Sequence, residues 1–376
     1  MNQVEASSSH LNQIRSIPLI DLIRVLAAWM VVAWHTSGIS GYRLPVFGSA
    51  AIAVDVFMNV SGFLMVLLYF QRQNKEPWRE SSTWVKFYMR RFFRITPLYY
   101  LTLLFVLSVY LTTSRVEFQP TFPIWRWLIL HFSFLFGFIP SEIGGVIPDW
   151  SLTLEMQFYV CFPFLFLALI RLRPGLFFLL FSLVGAISQI LFSYYGSTGN
   201  GLLGHFPQPT LLPLKIQVFC VGMIAAIIAI RGFDEVKSKW FILGFPIYYY
   251  SCRENYQILM FVFYVTLYCI ILIPKIRIYF LKSIHNLNEF ARGVPGREVL
   301  AECSYGTYLV HNVVICLIIE KIWPPLEMGQ GTLTRFIYCF LLNLIITTGV
   351  SYFLYKTIEL PGINIGRKFI QSHLFK

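Results

Sequence analysis

The chain has 376 residues, of which 57% are hydrophobic and only 13% are charged, and its mean hydropathy is +0.64. A water-soluble domain has about 25% charged residues because its surface must be hydrated, so this composition excludes an ordinary soluble protein. The net charge of +12 fits cytoplasmic loops, where Lys and Arg accumulate, better than a nucleic-acid partner. The sequence therefore predicts an all-α polytopic membrane protein whose surrounding solvent is the lipid bilayer.

Ten apolar segments are predicted to cross the membrane. They lie near residues 17–38, 50–70, 95–113, 150–170, 175–195, 211–231, 239–252, 257–274, 301–320 and 333–356. A crossing needs about 20 residues, so the short segment 239–252 is the weakest of the ten. The apolar piece 127–139 is also short, and we interpret it as a re-entrant or interfacial segment buried against protein.

Basic residues indicate which ends of the predicted spans face the cytoplasm. They concentrate in residues 72–94, 275–300 and 356–376, and cytoplasmic loops are enriched in Lys and Arg. These regions lie on one side only if 127–139 does not cross, which predicts that both termini are cytoplasmic. We expect one membrane domain over residues 17–358, between cytoplasmic tails at 1–16 and 359–376.

The two ends of the chain and its cysteines give further expectations. Asp21 and Arg24 interrupt the first apolar stretch, which favours a retained helix over a cleaved signal peptide. The chain ends soon after the last predicted span, so we expect no appended extracytoplasmic domain. The seven cysteines form no CxxC pair, and we predict neither a metal site nor a disulfide framework.

The first predicted span contains Arg24 and His35, eleven residues apart. At 100° per residue both side chains lie on one helix face, about 16 Å apart along the axis. Taken singly, Arg24 would be an interfacial anchor paired with Asp21, and His35 a hydrogen-bonded packing residue. Ionisable residues inside membrane spans are costly and are commonly functional, so the pair favours a polar channel.

The second and fourth spans contain further polar stripes. Asp55, Asn59 and Gly62 share one face, which fits a polar helix–helix contact and a site role equally well. In the fourth span Asp149 is predicted to be an N-cap. Ser151 and Glu155 share a face at i, i+4, and Glu155 could orient a histidine as a carboxylate does in a catalytic triad.

Two more groups complete the candidate residues. Arg90, Arg91 and Arg94 lie within about one helical turn. Arg90 and Arg94 can converge on one anion, and guanidinium groups suit phosphate, although anchoring on the cytoplasmic side would also explain them. Tyr305, Tyr308 and His311 follow one another at intervals of three residues. That spacing forms a ridge on one helix face, for which packing explains the tyrosines better than the intramembrane histidine.

Taken together, these patterns resemble integral-membrane acyltransferase family three, whose members O-acylate bacterial surface polysaccharides, nodulation factors and related glycans. Six segments match in chain order: Arg24 with His35; Asp55, Phe57, Ser61, Gly62 and Phe63; Arg90, Arg91, Arg94, Ile95 and Pro97; Asp149 to Glu155; Ser304 to His311; and Glu359-Leu360-Pro361. Asn59 departs from the bulky apolar residue expected there, which puts the fit of the donor or acceptor in doubt.

The resemblance implies a multi-pass protein of the bacterial inner membrane, with acyl-CoA, most often acetyl-CoA, as co-substrate and no permanently bound cofactor. It implies that Arg90, Arg91 and Arg94 hold the coenzyme's phosphates, and that the acceptor is a surface polysaccharide or lipid-linked glycan. We expect His35 to be the general base or a transient acyl acceptor, assisted by Glu155 or Asp55, and Arg24 to supply positive charge.

Substrate contacts are expected at Trp150, Ser151, Tyr305 and His311. Two alternatives remain open. The first is a transporter or flippase for a lipid-linked glycan or a small molecule, because intramembrane charges also fit that class. The second is a non-catalytic membrane partner of a polysaccharide synthase.

Overall fold

A computed structural model describes residues 17–44, 50–121, 123–142, 145–198, 209–236, 239–251, 270 and 273–372. This part of the chain is helical and contains no β-strand. In chain order the helices are α1 Pro18–Ser40, α2 Ala51–Arg72, α3 Ser81–Thr113, α4 Ile124–Phe132, α5 Trp150–Arg171, α6 Pro174–Thr198, α7 Ile216–Arg231, α8 Lys239–Ser251, α9 Pro274–Gly293, α10 Arg297–Ile322 and α11 Leu333–Gln371. Short 3₁₀ turns occupy Val116–Phe118, Phe136–Phe138, Pro140–Glu142, Leu212–Leu214 and Phe233–Val236.

Seven of the described helices are long and apolar enough to cross a bilayer: α1, α2, α3, α5, α6, α10 and α11. Helices α7 and α8 coincide with predicted spans but have only 16 and 13 residues, fewer than the roughly 20 of a full crossing. The predicted span 257–274 falls almost entirely outside the described residues. The predicted membrane class is confirmed, whereas the count of ten spans stays a prediction.

Helix α4 lies in the segment predicted to be re-entrant or interfacial. Its nine residues give a length of about 14 Å, well short of a hydrocarbon core of about 30 Å. One face of α4 is buried through Trp127 and His131, while Trp125 and Ile129 on the opposite face are 64% and 59% exposed. The helix therefore lies against the other helices without crossing.

A buried polar network holds α4 against α3 and α5. The hydroxyl group of Tyr99 donates to Asp149 Oδ2 at 3.1 Å and lies 2.9 Å from His131 Nδ1, and all three side chains are almost completely buried. Asp149 precedes α5 as predicted, but it makes no side-chain capping bond. The predicted N-cap position is confirmed, but the Asp149 carboxylate turns toward Tyr99 instead of toward the free backbone N–H groups of α5.

Helices α2 and α7 pack at very short range. Gly62 faces the backbone of Phe219, and Gly222 faces the backbone of Asn59, so the missing side chains allow the two helix axes to approach closely. Lys215 and Asp55 add an ion pair of 3.0 Å at one end of this contact. The polar stripe predicted on the second span therefore faces α7.

Helix α10 packs against both α1 and α11. Buried polar side chains connect α1 with α11. Asn343 Nδ2 of α11 donates to Thr36 Oγ1 of α1 at 2.9 Å, and Thr347 Oγ1 donates to Asn343 Oδ1 at 2.9 Å. In lipid such side chains need protein partners. The contact fixes α1, and with it the rotation of His35.

Helices α10 and α11 each contain one turn of π-helix, at Ile315–Ile319 and Tyr355–Glu359. In the first turn Arg115 Nη1 donates to the carbonyl oxygen of Cys316 at 2.8 Å. Beyond the second turn α11 continues to Gln371, and its Gly362 and Gly366 face Phe93 and Pro97 of α3. The segment predicted to be a C-terminal tail from residue 359 therefore begins as a packed part of the last helix.

Candidate functional site

A cavity of about 760 Å³ opens between helices α1, α2, α3, α5, α10 and α11. Seven residues named from the sequence line it: Arg24, Arg91, Arg94, Ser151, Glu155, Tyr305 and Tyr308. They come from four helices that are far apart in the chain. The helix faces predicted from residue spacing thus converge on one space.

The cavity wall contains charges of both signs. Its cationic side chains are Arg24, Arg91, Arg94 and Lys356, and its acidic ones are Asp21, Glu155, Glu298 and Glu302. Arg94 Nη2 lies 3.5 Å from Glu302 Oε2, and both side chains are more than a third exposed. Such a solvated pair is weak, so an anionic ligand can compete for Arg94.

Glu155 has fixed partners inside the cavity. Ser61 Oγ donates to its Oε1 at 2.9 Å, and the hydroxyl group of Tyr159 donates to the same oxygen. The guanidinium of Arg91 lies over the ring of Tyr159, 5.4 Å from the ring centroid. The carboxylate is therefore held by two hydroxyl groups within a region of positive charge.

Five of the predicted site residues lie outside the cavity lining: Arg90, Asp55 and Trp150, and the two histidines His35 and His311. Arg90 donates to both carboxylate oxygens of Glu76 and, at 3.2 Å, to the hydroxyl group of Tyr69. Asp55 is paired with Lys215, and Trp150 is packed against the hydrophobic core. The structure therefore brings Arg91 and Arg94 together at the cavity and directs Arg90 elsewhere.

The departure at Asn59 also has a structural explanation. Its side-chain Nδ2 donates to the carbonyl oxygen of Asp55 at 2.9 Å, one turn earlier in the same helix. The neighbouring Val60 and Ser61 line the cavity, whereas Asn59 does not. The amide therefore contributes to helix α2 and its contact with α7 rather than to the cavity wall.

His35 and His311 form a pair beyond the cavity, with ring centroids 5.0 Å apart. His311 is completely buried, and its Nδ1 lies 2.6 Å from the carbonyl oxygen of Tyr308. His35 is only partly buried. The hydroxyl group of Tyr308 lies 2.7 Å from Ser151 Oγ in the cavity wall, and the ring centroid of Tyr308 lies 6.1 Å from that of His311. Tyr308 therefore connects the cavity wall with the histidine pair.

Sequence reasoning missed several residues of this site. Tyr159 lies one turn after Glu155, and its i, i+4 spacing could have identified it. Ser61 lies in one of the six segments that match the family, but its sequence position alone did not indicate a role. Glu302 and Lys356 carry no local signal, since only helix packing brings them to the cavity.

Comparison with known proteins identifies the family. A profile of the acyltransferase domain that defines acyltransferase family three matches residues 17–356. The chain belongs to this family. No solved structure matches it.

Several characterised relatives of this family-three acyltransferase are O-acetyltransferases by name. The O-acetyltransferase OatA of Staphylococcus aureus strain NCTC 8325 is 22% identical over 389 residues, covering 92% of this chain and 57% of the relative. The acyltransferase MdmB of Streptomyces mycarofaciens is 29% identical over 42% of this chain and 41% of its own length. The peptidoglycan O-acetyltransferase OatA of Listeria monocytogenes is 29% identical over 41% of this chain and 25% of its own length.

The family-three chain thus spans 57% of the length of the Staphylococcus relatives that it matches. Family membership and the seven apolar helices together describe a multi-pass membrane protein of acyltransferase family three.

Proposed function

We propose that this protein transfers an acyl group, with acetyl favoured, from acyl-CoA to a hydroxyl group of a cell-surface polysaccharide or lipid-linked glycan. The observation that supports this most directly is the cavity with Arg24, Arg91, Arg94 and Glu155, whose lining residue Tyr308 contacts His311 of the histidine pair. Membership of an acyltransferase family and relatives named O-acetyltransferases agree with it.

The donor enters at the charged part of the cavity. Arg91 and Arg94 bind coenzyme A phosphates, because guanidinium groups form charge-assisted bonds to phosphate oxygens. Lys356, which also lines the cavity, adds a third cation. Arg90 does not bind the donor phosphates, because its guanidinium is already paired with Glu76. We assign Arg90 to holding the loop before α3 in place.

The thioester arm of the donor extends along the cavity toward Tyr308. Arg24 and His35 lie about 16 Å apart along α1, too far to contact one carbonyl group together. Arg24 therefore stabilises negative charge on the donor, while His35 acts at the reacting end. We assign Asp55 to the contact between α2 and α7, since its carboxylate pairs with Lys215.

His35 is the general base, or it accepts the acyl group transiently. In the direct reaction the acceptor oxygen forms the ester bond to the thioester carbon and the C–S bond breaks. The hydroxyl proton moves to His35 and then to the coenzyme A sulfur, so coenzyme A leaves as the thiol and His35 returns to its neutral form. Glu155, held by Ser61 and Tyr159, balances the cationic charge of the cavity.

The acceptor approaches His35 from the side away from the basic loops. His35 is partly exposed, as a base that meets a glycan hydroxyl requires. Ser151, Tyr305 and His311 surround the path between donor and acceptor, and Trp150 begins the same helix turn as Ser151. In this orientation the basic loops are cytoplasmic and the protein lies in the bacterial inner membrane, with the glycan reached from outside.

The test compares acylation of the host's surface polysaccharide by mass spectrometry for the wild-type protein and His35→Ala at equal protein level. We expect loss of one acyl mass from a sugar residue in His35→Ala. His285→Ala is the matched control, because His285 is exposed on α9, and it should leave the acyl mass in place.

Unchanged acylation in His35→Ala would overturn the role of His35. Unchanged acylation accompanied by a changed amount of surface polysaccharide would favour the transport function. Acyl transfer by the purified, reconstituted protein, dependent on added acetyl-CoA, separates the enzyme from both a transporter and a non-catalytic partner.

A further inference from the structure

His35 needs a neighbour that sets the direction of its ring and the position of its proton. Asp55 and Glu155 were the two carboxylates expected to do this. Asp55 is paired with Lys215, and the Oε1 atom of Glu155 accepts from Ser61 and Tyr159. Among the described residues, the titratable ring in contact with His35 is that of His311, tilted by 52° with 5.0 Å between ring centroids.

The backbone determines which nitrogen of His311 has a proton. Its Nδ1 lies 2.6 Å from the carbonyl oxygen of Tyr308, and a carbonyl oxygen can only accept a hydrogen bond. Nδ1 must therefore donate, and in the neutral ring the lone pair is on Nε2. That Nε2 atom is buried and has no hydrogen-bond partner in the described part of the chain.

A buried acceptor without a partner is costly, and His35 is the adjacent group with an N–H to offer. We propose that His311 is a positioning residue for His35: its Nε2 accepts the N–H of His35, which leaves the other nitrogen of His35 free to take a proton from the acceptor hydroxyl. This inference rests on the proposed acyl transfer to a hydroxyl group.

The arrangement has the order of a catalytic triad without its carboxylate. The carbonyl oxygen of Tyr308 holds His311, and His311 holds His35, as an aspartate holds the base in a serine hydrolase. In lipid a neutral imidazole is a less costly orienting group than a carboxylate, because an ionised group removed from water needs a compensating charge. The pair is neutral until His35 takes the proton.

His311 neither gains nor loses a proton during the proposed reaction. As His35 accepts the hydroxyl proton, its imidazolium form still donates to Nε2 of His311, which spreads the positive charge over two rings. The ester bond forms, the C–S bond breaks, and the proton passes from His35 to the coenzyme A sulfur. His311 touches no reacting atom and acts only through His35.

The test compares His311→Leu with His311→Gln in membranes that contain the host's surface polysaccharide and radiolabelled acetyl-CoA. Leu removes the acceptor, so kcat should fall about 100-fold, while the KM for acetyl-CoA stays within about twofold. Gln retains a carbonyl acceptor and should restore kcat to about a tenth of wild type or better. His285→Leu, on exposed α9, is the matched control and should retain the wild-type kcat.

A His311→Leu protein with wild-type kcat, or one affected only in KM, would overturn the inference. Nitrogen-15 spectra of histidine-labelled wild-type protein in lipid nanodiscs give an independent answer. They should show His311 with its proton on Nδ1 and His35 as one tautomer, and a mixture of tautomers at His35 would also overturn it. Wild-type membranes without acetyl transfer would instead refute the proposed function, while these spectra still decide the pairing.

Discussion

Arg94 and Arg90 are one helical turn apart on α3, yet they have different surroundings. Arg94 lines the cavity and has a solvated partner, Glu302, at 3.5 Å. Arg90 forms a two-pronged ion pair with Glu76 and lies outside the lining. At the scale of single residues, the direction of each guanidinium decides which of them is available to a donor phosphate.

Arg94→Gln is expected to raise the KM for acyl-CoA by roughly 10- to 100-fold, since a hydrogen bond between charged groups contributes about 1.5–3 kcal/mol. kcat at saturating donor should change little, because Arg94 binds the phosphates and does not act at the thioester. Steady-state kinetics with varied acetyl-CoA measures both constants.

Arg292→Gln is the matched control for Arg94. Arg292 is exposed on α9 and pairs with Glu289 at 2.9 Å, so its replacement removes a similar charge from outside the cavity lining. An unchanged KM for Arg94→Gln, or an equal increase for Arg292→Gln, would contradict the donor site.

At the scale of helices, the contact between α2 and α7 depends on two glycines. A Cβ atom added to Gly222 would lie 1.9 Å from the carbonyl oxygen of Asn59, and one added to Gly62 would lie 2.2 Å from that of Phe219. Both obstacles are backbone atoms, which cannot move without shifting a helix. Helix α2 supplies Ser61 to Glu155, so this contact also positions the cavity wall.

Gly222→Ala should therefore destabilise the folded protein by about 1–3 kcal/mol, as overpacking generally does. Thermal unfolding of the purified protein in detergent should show a lower Tm. Gly38→Ala is the matched control, because a Cβ atom at Gly38 of α1 meets nothing within 4 Å. Equal Tm values for the two variants would show that the close contact between α2 and α7 is absent in the folded protein.

At the scale of the whole molecule, the C-terminal part of α11 belongs to the fold. The family profile ends at residue 356, but Leu360–Gln371 packs on α3 through Gly362 and Gly366 against Phe93 and Pro97. Phe93 lies between Arg91 and Arg94 in the chain. The last helix therefore supports the turn of α3 that contributes both arginines to the cavity.

Removal of residues 360–376 should lower the Tm in detergent and raise the KM for acyl-CoA, because α3 loses its packing partner beside Arg91 and Arg94. A truncation that removes only residues 373–376 leaves the whole of α11 in place and should behave as wild type. If the longer truncation retains the wild-type Tm and KM, the contact between α11 and α3 has no part in holding the donor site.

Spacing within a helix explains the site residues that were predicted well. Ser151 and Glu155 share a helix face as predicted, and both line the cavity. The spacing of Arg90 and Arg94 predicted that these two converge, but Arg91 and Arg94 line the cavity instead. The same rule predicted that Arg24 and His35 share a face of α1. It extends to Tyr159, one turn after Glu155, whose importance was overlooked.

The partners of these residues in other helices were not predictable in the same way. Asp55 pairs with Lys215, 160 residues later, and His35 lies beside His311. Asp149 was predicted to cap α5, yet it contacts Tyr99 and His131. In each case the side chain had several chemically suitable partners, and the rotation and register of neighbouring helices selected one.

The sequence by itself determined the membrane class, the helical fold, the family and the helix faces on which the polar residues lie. The membrane class, the helical fold and the helix faces follow from composition and from the 3.6-residue period, and the family follows from short motifs, all of which are local properties of the chain. Only the tertiary structure decided that Arg90 points away from the cavity, that α11 continues beyond Glu359, and that His311 is next to His35. Packing between helices depends on the fit of whole surfaces, including the glycines that allow close approach, and no short stretch of sequence encodes that fit.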